Sequence, residues 1–174
     1  MRNLLKAHRL LSVAVLLASL IGTSSLGVQA ADQGMYCAVD QPESVLRCLV
    51  RAFGERDLDL YRQLLAPDCR FVSGGDENSW GSDVEINTHA KIFANPSIKL
   101  LTLSISDGYQ VAPGPEPDTW VISGVVATLA LEIDRDGKTK HFEVVTRGAE
   151  FQVRRVLEPV AHFVIYRWWQ PVNQ

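Results

Sequence analysis

The chain has 174 residues, 47% of them hydrophobic and 21% charged, with three cysteines and a formal net charge of −3. The first 30 residues hold Arg2, Lys6 and Arg9 and no acid, so the 144 that follow carry 14 basic and 20 acidic side chains, a net of −6. The apolar content excludes a disordered chain, 12 Gly and 8 Pro exclude a collagen-like or low-complexity one, and an acidic domain argues against nucleic-acid binding.

Met1 to Arg9 is a basic stretch, Leu10 to Gly22 an apolar run of 13 residues, and Val28-Gln29-Ala30 a small-residue site before Ala31. This is the pattern of a signal peptide over residues 1–30, and the run is shorter than the ~20 residues that span a bilayer. An uncleaved anchor is the alternative, since no charge falls between Leu10 and Ala31. Export to a periplasmic or extracellular space gives the cysteines their reading. Cys37, Cys48 and Cys69 lie in the exported part, where thiols pair, and their odd number predicts one structural disulfide with one cysteine left over. Cys48–Cys69 is the expected pair, because both flank the packing region of the first helix. No Cys-x-x-Cys or His-x-His spacing supports a structural metal.

Residues 31–41 read as a flexible lead-in to a domain over 42–170. Asp40 and Glu43 have the spacing of a capping box around Pro42, and Val45, Leu49, Ala52 and Phe53 recur at helical spacing, predicting a helix over 41–55. Asp57 caps a short helix carrying Leu60, Tyr61, Leu64 and Leu65, which Pro67 stops. Cys69 to Ser73 is a short strand, and Gly74 to Ser79 a loop. Ser82 and Glu85 form a second capping box, opening a helix with Ile86, His89, Ala90 and Phe93 on one face and ending at Asn95-Pro96. The period then changes to two. Ile98–Ser106 is a strand, Ala112 to Asp118 a loop, Thr119–Ile133 and Thr139–Arg155 long strands joined at Asp134-Arg135-Asp136-Gly137-Lys138, and Ala161–Trp169 a last strand. Helices first and antiparallel strands after predict an α+β domain with helices on one sheet face.

This order, together with Val45 to Asp59, Leu64-Leu65-Ala66-Pro67-Asp68-Cys69-Arg70-Phe71 and the closing Phe163-Val164-Ile165-Tyr166-Arg167-Trp168-Trp169, resembles the cone fold of nuclear transport factor 2, ketosteroid isomerase and SnoaL-like polyketide cyclases. Trp80-Gly81 with Glu85, His89 and Phe93 resembles exported bacterial members of unassigned function. The resemblance implies a cone-shaped, cystatin-like roll: three N-terminal helices packed on a curved, mainly antiparallel sheet. It also implies a homodimer through the sheet face. The fold hosts enzymes, binding modules and assembly factors alike. By register with Asp68, the isomerases' proton-abstracting aspartate falls on Ser73 and their oxyanion-stabilising tyrosine on Leu49. Neither residue can do that work unaided, so isomerase chemistry of that kind is not expected.

His89 lies one turn after Glu85, and the two are the candidate catalytic residues, a carboxylate orienting an imidazole for acid–base work. Packing of the same histidine beside Ile86 and Phe93 is the competing expectation. Their use as metal ligands with His141 or His162 is weaker still, and no metal or cofactor is expected. Tyr61, Phe71, Trp80, His89, Trp120 and Trp168 are candidates for lining a cleft for a small apolar or amphipathic ligand. Arg147 joins them: an arginine on an apolar face wants a carboxylate, from Glu132, Glu143 or Glu150 or from a ligand. The leading expectation is an exported cone that binds a small ligand or a protein partner without catalysis. A pocket lyase, isomerase or hydrolase using His89 and Glu85, or a structural part of an envelope or secretion assembly, are the alternatives.

Overall fold

The computed structural model describes Cys37 and residues 40–74, 79–159 and 161–171. The expected signal peptide, most of the lead-in and the loop residues 75–78 lie outside the described residues. Helix α1 runs Ser44–Glu55, with Val45, Leu46, Leu49, Ala52 and Phe53 buried along one stripe. It starts later than the sequence spacing predicts, and the capping box is not made. Asp40 Oδ1 instead accepts from the Ser44 hydroxyl at 3.1 Å, and Glu43 caps the helix without a side-chain bond. The helix ends where Arg56 turns left-handed at φ 54° and Asp57 N–H reaches back to the Ala52 carbonyl at 2.9 Å. The Arg56 guanidinium then donates to the Ile98 carbonyl at 2.6 Å, tying this end of α1 to the sheet.

Asp57 caps α2 (Leu58–Gln63) as its position predicts, accepting from Leu60 N–H at 2.8 Å. The chain passes directly into β1 (Leu65–Ser73), which is longer than the expected Cys69–Ser73 strand. Pro67 is tolerated inside it because the ladder to the neighbouring strand is irregular between Leu65 and Arg70, so its missing N–H disrupts no regular pairing. Strand β2 (Ser79–Gly81) pairs back on β1 with Trp80 opposite Phe71. Helix α3 is Ser82–Phe93.

The strands β3 (Ile98–Ile105), β4 (Gln110–Pro113), β5 (Thr119–Arg135), β6 (Lys138–Val156) and β7 (His162–Gln170) complete one sheet. Its order is β2-β1-β7-β6-β5-β3, with β4 also paired to β5. The sheet is mixed: β1 and β7 run parallel and the other pairs antiparallel. Strand β4 corrects the loop expected from Ala112, for its four residues pair with Trp120–Ser123 of β5. The β5–β6 hairpin turns at Asp136-Gly137, as the sequence predicts. Two insertions interrupt its ladder. Ser123 and Gly124 fall between the Ile122–Phe151 and Val125–Ala149 pairs, and Gly148 falls between Arg147 and Ala149. Both glycines have positive φ, 72° and 74°, a conformation costly for residues with a Cβ. Each insertion kinks its strand and raises the local twist.

Helix α1 packs chiefly over β3 and β7, while α3 and α2 cover β1. The core they enclose includes Leu49, Tyr61, Leu64, Ile122, Val125, Phe151, Val153 and Ile165, all fully buried. No helix among the described residues is long and apolar enough to cross a membrane. The fold class is α+β, with the helices before the long strands as the sequence predicts.

Candidate functional site

The disulfide joins Cys37 to Cys48, with Cα atoms 5.8 Å apart, and Cys69 is free and buried. This corrects the expected Cys48–Cys69 pair. Cys48 rides on α1 over β3 and β7, whereas Cys69 belongs to β1, which packs under α3 and α2. The lead-in is thereby fastened to α1 at Cys37. Burial pushes the Cys69 thiol up to about 12, with the charges of Glu85 and Asp68 adding to the effect and Arg154 opposing it. It is a protonated, unreactive thiol at neutral pH.

The second capping box is also corrected. Gly81 caps α3 without a side-chain bond, and the Ser82 hydroxyl donates to the Pro67 carbonyl at 2.8 Å. Glu85 turns inward instead, 9% exposed, and becomes the centre of a polar cluster. The Tyr61 hydroxyl donates to Glu85 Oε1 at 2.9 Å and Trp80 Nε1–H to Oε2 at 2.6 Å. His89 Nδ1 lies 3.2 Å from Oε1 and 3.1 Å from the Glu85 carbonyl oxygen. A carbonyl only accepts, so Nδ1 carries the proton in that contact. A buried carboxylate needs such donors to offset its lost hydration, and here two elements, α2 and β2, each supply one, with His89 of α3 beside them. Burial raises the Tyr61 hydroxyl well above its ordinary value, and the adjacent Glu85 charge and hydrogen bond raise it further, so it stays a donor.

Aromatic rings close around this cluster. The His89 ring stands 4.6 Å from Tyr61, 5.1 Å from Phe53 and 5.7 Å from Phe93. Phe71 stacks on Trp80 at 5.9 Å and meets Trp168, which meets Phe151 at 4.6 Å. Trp168 Nε1 is buried with no hydrogen-bond partner among the described residues. Of the expected ligand-lining residues, Tyr61, Phe71, Trp80, His89 and Trp168 therefore come together, joined by ring contacts or through Glu85. Trp120 belongs to a separate ring pair with Phe163, at 5.0 Å. Arg147 is exposed on β6 and makes no ion pair among the described residues, contrary to the partner its neighbours suggest. Glu132 is taken by His141 at 3.1 Å and Glu150 by the Gln152 side chain at 2.9 Å. The isomerase positions Ser73 and Leu49 lie at the end of β1 and in the fully buried core.

No group of three His, Cys, Asp or Glu side chains among the described residues is disposed to hold a metal ion. His141 pairs on the sheet and His162 begins β7, neither reaching the Glu85–His89 pair as a metal set would require. The Tyr61–Glu85 link, 24 residues apart, is what sequence reasoning missed. Its signal is a tyrosine at a core position of α2, whose hydroxyl must find a partner when buried. A shallow recess of about 230 Å³ opens elsewhere, over β3, β5 and β6, lined by Leu100, Ala130, Glu132, His141, Phe142 and Glu143 among others.

No family model matches the chain, and no curated protein matches it either. Solved structures do. A nuclear transport factor 2-like protein of unknown function in nutrient uptake from Rhodospirillum rubrum is 22% identical, with a TM-score of 0.56 over 78% of this chain and 100% of that one. A ketosteroid isomerase-like protein from Erwinia carotovora atroseptica is 12% identical, with a TM-score of 0.52 over 80% of this chain and 98% of its own. A nuclear transport factor 2-like superfamily protein from Salmonella enterica serovar Typhimurium is 11% identical, with a TM-score of 0.54 over 75% of this chain and 87% of its own. Identities this low speak for the fold alone, and the fold is the one shared with these nuclear transport factor 2-like and ketosteroid isomerase-like structures.

Proposed function

We propose that this chain is an exported, cone-shaped binding module that works without acid–base chemistry at Glu85 and His89. The observation that carries this is the burial of Glu85 with both of its carboxylate oxygens held by internal donors. Both Glu85 oxygens accept from Tyr61 and Trp80, so the carboxylate is held inside the fold, and His89 faces it through Nδ1, which leaves Nε2 as the one ring nitrogen not engaged there. A general acid or base needs a route to a substrate atom at hydrogen-bond distance, and rings of Phe53, Tyr61 and Phe93 stand around the imidazole.

The working surface in this reading is the recess over β3, β5 and β6. Leu100, 42% exposed, and Ala130 give it an apolar floor, and the Glu132–His141 pair gives it a polar rim. That combination suits a small amphipathic molecule or an apolar patch of a protein partner. The basic, apolar leader and the single disulfide support delivery of the domain to a periplasmic or extracellular space. Anilinonaphthalene sulfonate, an amphipathic fluorescent probe, tests the reading. Leu100→Asp should weaken probe binding by about tenfold while leaving the circular dichroism and melting of the domain intact. Binding indifferent to Leu100→Asp and Ala130→Arg would overturn the assignment of this surface.

A further inference from the structure

Strand β6 is paired with β7 only over Glu150–Val156, so its stretch from Lys138 to Gly148 has β5 on one flank and no strand on the other among the described residues. In an antiparallel ladder every second residue turns both N–H and C=O away from its partner strand, so this edge carries a row of main-chain donors and acceptors without strand partners. Lys138 and Lys140 guard the tip, as lysines guard exposed edges. Past them runs His141-Phe142-Glu143-Val144-Val145, with Phe142 37% exposed and Glu143 free of ion pairs among the described residues.

We propose that the free edge of β6 pairs with itself: two copies join antiparallel across a twofold axis at Phe142, fusing two sheets into one. The register follows from what each centre would bring together. A twofold axis normal to the sheet pairs residues whose numbers sum to a constant even value, because directly paired residues share a face. An axis beyond Glu143 drives the hairpin tip of one copy into β7 of the other, which occupies that flank from Glu150 onward. An axis at Glu143 sets carboxylate against carboxylate, and one at His141 sets imidazole against imidazole. With the axis at Phe142, that ring meets its own copy, and His141 faces the partner's Glu143 on both sides of the axis. Lys140 then lies opposite the partner's Val144 and Lys138 opposite the partner's Thr146, so no like charges meet. Glu132, already 3.1 Å from His141, leaves the imidazole between two carboxylates in the pair. The interface is closed, with the same edge used by both copies, so it yields dimers rather than fibres.

Sedimentation of the purified protein over a range of concentrations tests this, and no probe or ligand is needed, so its outcome is separate from that of the recess reading. A reversible dimer is expected. Glu143→Lys, which sets a lysine against His141, should weaken it about tenfold, Phe142→Asp should abolish it, and adding His141→Glu to Glu143→Lys should restore most of the association. In the unmodified protein, amide exchange across residues 141–145 should slow as concentration rises. A monomer up to about 1 mM, amide exchange at 141–145 that ignores concentration, or a dimer indifferent to Glu143→Lys and Phe142→Asp, as face-to-face association of the sheets would give, overturns the proposal.

Discussion

Glu85 is a buried carboxylate whose two oxygens are matched by donors from two other elements, and that matching makes each donor costly to remove. Tyr61→Phe deletes the hydroxyl that bonds Oε1 without changing the ring that packs on Phe53 and His89. The expected loss is about 1–3 kcal/mol, read as a lower denaturant midpoint at unchanged slope. Cys69 makes a second residue-scale claim. Its thiol is raised in the fold from 9.0 to about 12, so folded and unfolded chains hold the same proton below about pH 9. Above that, the unfolded chain ionises first and stability falls until the folded thiol ionises near pH 12, by up to about 1.4 kcal/mol per pH unit. Buried Tyr61, raised for the same reason, adds a similar loss at the upper end. Cys69→Ala should therefore flatten the fall between about pH 9 and 10 in urea midpoints taken across that range. Parallel pH profiles for the two proteins would contradict the assignment.

At the level of elements, periodicity made α1, α2, α3, β3 and the long hairpin legible, because each buries one face and its apolar spacing records which. Strands β2 and β4 were not legible for the opposite reason. They are only three and four residues long, and they exist through pairing with β1 and β5 rather than through any pattern of their own. The two expected capping boxes failed because their polar groups had stronger claims elsewhere: Asp40 accepting from the Ser44 hydroxyl, Ser82 donating to the Pro67 carbonyl, and Glu85 accepting from the buried donors. The bulges at Gly124 and Gly148 also lie beyond any period-two pattern. A Cβ at Gly148 would meet nothing within 4 Å, so crowding plays no part in its replacement. Gly148→Ala should still cost about 1–2 kcal/mol, because positive φ disfavours any residue with a Cβ, and thermal unfolding would measure it. A melting temperature equal to the parent's would show that the left-handed backbone at Gly148 is not needed for the bulge.

For the whole molecule, the order of helices and strands was readable, whereas the contacts that join distant parts were not. Cys37–Cys48 rather than Cys48–Cys69 depended on which strands α1 covers, which no local pattern encodes. The candidate site shows the same division. Glu85 and His89 were recognisable as neighbours on one helix, yet their meaning came from Tyr61 and Trp80, brought in by α2 and β2. In the proposed exported form, intact mass should correspond to a chain beginning at Ala31 and lighter by two hydrogens. One thiol should become alkylatable, and only after unfolding, because Cys69 is buried.

In the proposed function the Glu85 cluster builds the fold and takes no part in binding. Glu85→Gln, which puts an amide nitrogen against one of two hydrogen-bond donors, tests it most directly when the unfolding midpoint and anilinonaphthalene sulfonate affinity are measured on the same sample. A stability loss of about 1–3 kcal/mol is expected, with probe affinity per folded molecule unchanged. Unchanged stability with lost probe binding would contradict it, and would return Glu85 and His89 to the working site.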